Sequence, residues 1–225
     1  MRLKYYLSPL PLQLLLRFLF HPIAIFFLHA QMEGLENLKK QKGNFILASN
    51  HISEIDSGLI PSTIPIRIFN RPIFFASLEK REYSHKGLRG KLFYGGLLFH
   101  LLGARKVYKG LDDYSISVGN HVKLLEEEGN ILIFPEGRVS CNGKPGGTGG
   151  GIAFLVYRTK KPIIPIKLEG IWGMLFREFI SRKRFLKMKI GQPIYYEDLF
   201  DDSFEPTKEN FKAVSRKVLE KICGL

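Results

Sequence analysis

Two clusters of side chains in this 225-residue sequence have the types and spacing to do chemistry. The first is Asn50-His51-Ile52-Ser53-Glu54-Ile55-Asp56, directly after an apolar run at 44–49. A carboxylate on one imidazole nitrogen fixes the tautomer and makes the other nitrogen the stronger base. Such a pair deprotonates a hydroxyl. His51 and Asp56 are five residues apart, which on one regular helix is about 140° around the axis. They meet only if a loop-to-helix turn lies between them. Ser53 and Ser57 leave a serine nucleophile open, although neither lies in a G-x-S-x-G elbow. Without one, the hydroxyl is the substrate's own. A purely structural His–Asp pair is the plain alternative.

The second cluster, Phe134-Pro135-Glu136-Gly137-Arg138, ends another apolar run. Arg138 is a fork donor suited to phosphate; the alternative is a turn with a surface ion pair. The stretch 141–151 that follows has six Gly and one Pro in eleven positions, so it is a loop. It is not GxxxxGK[ST] and is no nucleotide P-loop. A third segment, 103–110, carries Arg105, Lys106 and Lys109 between glycines and reads as a phosphate contact or an ordinary loop. A fourth, Ile164-Pro165-Ile166, puts Pro in an apolar strand, which confines that strand to an edge or places the Pro at its end.

The elements that must position these groups alternate. Apolar runs at 44–49, 72–77, 129–134, 162–168 and 185–190 predict strands. Helical patterns lie at 88–102, 113–128, 150–160 and 207–222, with Asp112 as N-cap and Gly129 as stop for the second. Strands alternating with helices predict an α/β fold with a mostly parallel central sheet flanked by helices.

Residues 5–30 are strongly apolar, but Arg17 splits them and Pro9, Pro11, His21 and Pro22 interrupt them. A spanning helix needs about 20 apolar residues without charge. The expectation is a membrane-associating, broken helical hairpin lying in one leaflet, with Arg17 near the headgroups. A helix pair buried against the domain is the alternative. Arg17 and Leu28 argue against a signal peptide cleaved after Ala30.

Net charge is +13, and each of the segments 1–43, 44–100, 101–170 and 171–225 contributes +3 or +4. An evenly basic chain needs an anionic partner: a membrane surface, a phosphorylated substrate or nucleic acid. No recognition helix, RNP-like block or zinc pattern supports nucleic acid. Cations at 67–91 and 177–189 cluster, the latter beside Trp172, Phe176, Phe179 and Phe185, a mixture suited to lipid headgroups. The alternative is a solvated face. Two distant cysteines, Cys141 and Cys223, exclude a disulfide scaffold and fit a reducing compartment.

Taken in order, Asn50-His51-x-x-x-x-Asp56, the block at 103–110, Phe134-Pro135-Glu136-Gly137 and the Pro165 block resemble the glycerolipid acyltransferase family. That family comprises the 1-acyl-glycerol-3-phosphate acyltransferases and related lysophospholipid acyltransferases. The resemblance implies that His51 is the general base and Asp56 its orienter. It implies that Lys109, Glu136, Gly137 and Arg138 bind the glycerol phosphate, and that Pro165 lies near the acyl chain or shapes the site. Lys109 stands where the family commonly has Arg, and Arg138-Val139-Ser140 replaces the commoner Thr-Arg-Ser, which leaves the headgroup open. The implied reaction is acyl transfer from acyl-CoA or acyl-carrier protein to lysophosphatidic acid, giving phosphatidic acid in phospholipid biosynthesis. No metal or organic cofactor is implied. The implied place is the cytoplasmic face of a membrane, the inner one in a bacterium. The division is a membrane-associating segment with its connector at 1–43 and an acyltransferase domain at 44–225. Another lysolipid acceptor, such as lysophosphatidylethanolamine or an amino-acid lipid, and a non-catalytic membrane-surface protein are the alternatives.

Overall fold

The computed structural model describes residues 9–65, 71–77, 97–108, 110, 111 and 113–225. Helix α1 (Pro9–Leu28) leads into β1 (Gln31–Glu33), α2 (Leu35–Lys39), β2 (Ile46–Ser49) and α3 (Asp56–Thr63). β3 (Ile73–Ser77), α4 (Leu97–Leu101), β4 (Ala104–Lys106), α5 (Tyr114–Ser117), α6 (Gly119–Glu126) and β5 (Asn130–Ile133) follow. The chain closes with α7 (Gly151–Thr159), β6 (Ile163–Glu169), α8 (Phe176–Ile180), β7 (Lys187–Ile190), a 3₁₀ turn (Tyr196–Asp198) and α9 (Lys208–Cys223).

Among the described residues there is one seven-stranded sheet, ordered β1-β7-β6-β2-β5-β3-β4. All pairs are parallel except β6 with β7. The α/β class with a mostly parallel sheet is thus as expected. Because side chains alternate across a strand, the apolar runs supply both faces. Leu47, Ile73, Phe75 and Leu132 face a layer that includes Leu28 of α1, Leu38 of α2 and Ile60 of α3. Ile46, Ala48, Phe74 and Ile131 face the opposite layer, with Leu125 of α6, Val156 of α7 and Val218 of α9. Burial on both faces is why these strands read as continuous apolar runs.

All five expected strands are present, and β1 and β4 add two short edges of three residues each. The 113–128 helix is broken at Val118 into α5 and α6. Its start is capped by Asp113, whose carboxylate accepts from Ser115 N–H at 2.6 Å; Asp112 lies outside the described residues. Of the 88–102 helix, the described part is α4.

The N-terminal hairpin is a correction. Residues 9–28 form one continuous helix. Pro9 and Pro11 sit in the first turn, where N–H groups have no intrahelical acceptor. Pro22 lies on the exposed side. The polar residues do not break the helix, because they face the protein. Pro9, Gln13, Arg17, Ala24 and Leu28 make one buried stripe. The Gln13 amide donates to Ile73 C=O and Leu102 C=O, both at 2.7 Å, and accepts from Ile73 N–H at 3.0 Å. His21 Nδ1 meets Thr63 C=O at 3.1 Å. Arg17 is 2% exposed, not at the headgroups, and burial lowers its pKa to about 10. It stays charged at neutral pH. After it, β1 pairs with β7 in the same sheet.

Candidate active site

The neighbouring strands β2 and β5 point the same way, so the segments after Ser49 and Ile133 emerge side by side at the carboxyl edge of the sheet. That edge is where parallel α/β folds place ligands. Asn50 continues the sheet by other means. Its side-chain amide donates to Leu168 C=O at 2.9 Å and accepts from Leu168 N–H at 2.7 Å, copying a ladder step to β6.

The chain then turns through 50–55 into α3, and this turn brings His51 and Asp56 together. His51 Nδ1 and Asp56 Oδ2 lie 3.0 Å apart. The same Oδ2 accepts the backbone N–H groups of Ile52 and Ser53, both at 2.8 Å. Asp56 is fully buried, at 0% exposure. One oxygen thus gathers two backbone N–H groups and the imidazole Nδ1. An acceptor-only carboxylate requires the proton on Nδ1, leaving the Nε2 lone pair as the base. The imidazole stacks on Phe134, with ring centroids 4.0 Å apart and planes 13° from parallel. Its side chain is 16% exposed.

The turn after β5 holds the rest of His51. Glu136 Oε1 accepts the His51 backbone N–H at 3.0 Å, and Oε2 accepts Gly146 N–H at 2.8 Å. His51 C=O accepts Ser140 N–H at 2.7 Å. Both backbone groups of His51 are therefore fixed by the 136–140 segment. Gly137 sits at φ 64, a left-handed position that favours glycine, and its N–H closes a turn onto Phe134 C=O at 2.9 Å. Glu136 is 8% exposed, with both oxygens committed to backbone groups. Arg138 is exposed and borders, with Glu136 and Lys144, a pocket of about 170 Å³ under the glycine-rich loop.

Lys109 lies outside the described residues. Pro165 is buried and pairs in register with Ala48. The expectation of an edge strand or a strand end is corrected: β6 is an interior strand, between β7 and β2. The β6–β7 register shifts from Ile166↔Ile190 to Ile163↔Ile194, one extra residue on the β7 side. Pro165 sits at that bulge. Its C=O accepts Gly191 N–H at 2.9 Å, and its missing N–H faces the interrupted ladder.

Sequence reasoning did not find Phe134 as the platform for the imidazole, or the amides of Ser140 and Gly146. Trp172, expected beside the lipid-facing cations, also reaches this loop: its Nε1–H donates to Ser140 C=O at 3.2 Å.

Residues 29–169 match the family model described as Acyltransferase. The fold is similar to the crystal structure of PlsC, the 1-acyl-sn-glycerophosphate (LPA) acyltransferase from Thermotoga maritima. The TM-score is 0.59 at 21% identity, over 93% of this chain and 79% of that one. The matched stretch runs from the start of β1 to the end of β6 and contains both turns that converge on His51. On that match the chain is an acyltransferase and belongs to the Acyltransferase family.

Proposed function

We propose that the protein transfers an acyl group from a thioester to the free hydroxyl of 1-acyl-glycerol-3-phosphate, forming phosphatidic acid. The observation that carries this reading is His51. Its Nδ1 is tied to a buried carboxylate, its backbone is fixed at both ends, and its side chain keeps some exposure. That arrangement suits a general base acting on a substrate hydroxyl, and it is the chemistry a phospholipid-forming acyltransferase requires. The PlsC likeness supports the acceptor class.

In the proposed step, His51 Nε2 takes the hydroxyl proton and the acceptor oxygen attacks the thioester carbonyl carbon. The tetrahedral intermediate collapses, the C–S bond breaks, and the thiolate leaves with the proton returned by His51. The Asp56 carboxylate stabilises the imidazolium formed between these events. General-base catalysis of this kind contributes roughly 10²–10⁴ in rate. Glu136 and Gly137 position His51 and the glycine-rich loop. Arg138 and Lys109 supply cations for the acceptor phosphate. The reaction as written needs no metal ion or organic cofactor, and the co-substrate is acyl-CoA or acyl-carrier protein.

Membrane association is part of the reading, because the acceptor is a lipid. The outward face of α1 exposes Phe18 at 74% and Phe26 at 55%. Twenty residues are long enough to cross a bilayer. The inward stripe, however, is bonded to β3, Leu102 and Thr63 along the helix. The helix therefore lies in the interface plane with its apolar face in the lipid. The two free cysteines agree with a cytoplasmic leaflet.

A second reading, acylation of another lysolipid, is favoured by Arg138-Val139-Ser140, which departs from the commoner basic pattern after Glu136-Gly137. The test is a thioester-consumption assay across a lysolipid panel with wild-type and His51→Ala protein. Lysophosphatidic acid should be the best acceptor, and His51→Ala should lose turnover while keeping its fold. Wild-type turnover in folded His51→Ala would overturn the mechanism. A better rate on a different lysolipid would overturn the acceptor.

A further inference from the structure

Between β6 and β7 the chain leaves the sheet for the excursion 171–186, which includes α8. Ile171 and Leu186 anchor its ends in the core, while four apolar side chains between them point outward: Phe176 is 79% exposed, Phe185 64%, Ile180 51% and Leu175 50%. Exposed Arg177, Arg182 and Lys183 are interspersed with them. The acid in this stretch, Glu178, is already held by Arg184 at 3.1 Å and by Leu175 N–H at 2.9 Å. The surface is therefore apolar and cationic at once.

This surface is continuous with α1. Phe179 stacks on Phe27, with centroids 4.9 Å apart. Arg182 Nε donates to Phe26 C=O at 2.9 Å, and its guanidinium lies 4.2 Å from the Phe26 ring centroid. We propose that 172–185 is a second membrane-docking element, and that its occupant is a phospholipid monolayer containing anionic lipid. The inference rests on the membrane-held acceptor proposed above. Rings interleaved with cations suit the headgroup level, where aromatic residues settle and each Lys or Arg gains from anionic lipid. A protein partner would not explain why the same face runs on into an apolar helix.

The element also touches the active-site loop. Trp172 donates to Ser140 C=O. It also lies over Gly143, where an added Cβ would come within 3.1 Å of the indole. Ser140 N–H in turn holds His51 C=O. Lipid that seats Phe176 and Phe185 thus bears on the segment that fixes the base. Trp172 is the sole tryptophan of the chain, so its emission is a native reporter of both events.

The test uses the full chain with vesicles of phosphatidylcholine, with and without phosphatidylglycerol, read by co-sedimentation and by Trp172 emission. Wild-type partitioning should rise with phosphatidylglycerol and fall in high salt. Phe176→Ala and Phe185→Ala should each lower it by about tenfold, from partial burial of one ring. Arg177→Glu and Lys183→Glu should each lower binding to anionic vesicles by about fivefold or more and leave neutral vesicles little affected. Circular dichroism and the thermal midpoint confirm that each variant is folded. If all four bind like wild type while Phe18→Ser weakens binding, α1 docks alone and the proposal is wrong. If they instead change the sedimentation coefficient of lipid-free protein, the face is a contact between copies and the proposal is again wrong. Activity on the lysolipid panel in micelles is measured separately, so failure of the docking element and failure of the acceptor assignment are distinguishable.

Discussion

Glu136 Oε1 accepts the backbone N–H of His51 at 3.0 Å, joining the ends of two adjacent parallel strands through one carboxylate. Its other oxygen holds Gly146 at 2.8 Å. The residue that the family resemblance assigns to substrate binding is thus built into the frame of the base.

This gives a first prediction. Glu136→Ala should lower kcat by about 10- to 100-fold, equivalent to ~1.4–2.7 kcal/mol of transition-state stabilisation. Glu136→Gln should lie between the variant and wild type. Its carbonyl still serves His51, but its NH₂ then faces the Gly146 N–H, donor against donor. Steady-state kinetics separating kcat from the KM of each substrate checks this. A change confined to the acceptor KM would mean that Glu136 acts on substrate directly.

Asp56→Asn should damage both activity and stability. The amide oxygen can replace Oδ2, but the NH₂ then occupies the place of Oδ1, which is buried without a hydrogen-bond partner. A buried unsatisfied donor costs about 1–3 kcal/mol. The neutral side chain also no longer stabilises an imidazolium, so kcat should fall by roughly 10²–10⁴. Urea midpoints and single-turnover rates give the two numbers.

Stability should fall in mild acid because of His121. This residue of α6 is 0% exposed, and neither ring nitrogen has a hydrogen-bond partner. Burial, with Arg105 adding repulsion, lowers its pKa from 6.5 to about 4. Between these values the unfolded chain binds the proton and the folded chain does not. The contribution is complete above pH 6.5 and is lost as the pH falls towards 4. At most about 3 kcal/mol is at stake. His121→Leu should flatten the pH dependence of the urea midpoint across that window. An unchanged slope would assign the effect to other groups.

Two glycines should respond differently to alanine. Gly137, at φ 64, has no atom within 4 Å of an added Cβ. Its cost is the left-handed backbone alone, about 1–2 kcal/mol. Gly170, at φ 95, would drive an added Cβ into the Phe185 carbonyl oxygen. Gly170→Ala should prevent β7 from closing properly onto β6 and give little soluble protein. Expression yield and thermal midpoints distinguish them.

The strands were legible because burial on both faces writes itself as uninterrupted runs such as Asn130–Ile133. β1 and β4, at three residues each, are too short to show a period. The pairing of His51 with Asp56 could be anticipated, because it depends on two side chains five residues apart. The bonds of Glu136 could not. They reach backbone amides, which carry no residue identity, and one of them spans 85 positions. Pro165 misled for a related reason: an interior strand tolerates proline where a bulge removes the need for its N–H, and the bulge arises on the neighbouring chain segment. Arg17 misled because a charge in an apolar helix points to the lipid headgroups, whereas here it is buried in the protein interior.

The inward stripe of α1 has a practical side. Gln13 completes the hydrogen bonding of Ile73 and Leu102, and Leu28 belongs to the same apolar layer as Ile60 and Leu132. Clipping the helix to obtain a detergent-free enzyme would strip one wall from the core and leave an aggregating remnant. Solubility is better sought by recolouring the outer surface, with polar residues at Phe18 and Phe26, and leaving the helix in place.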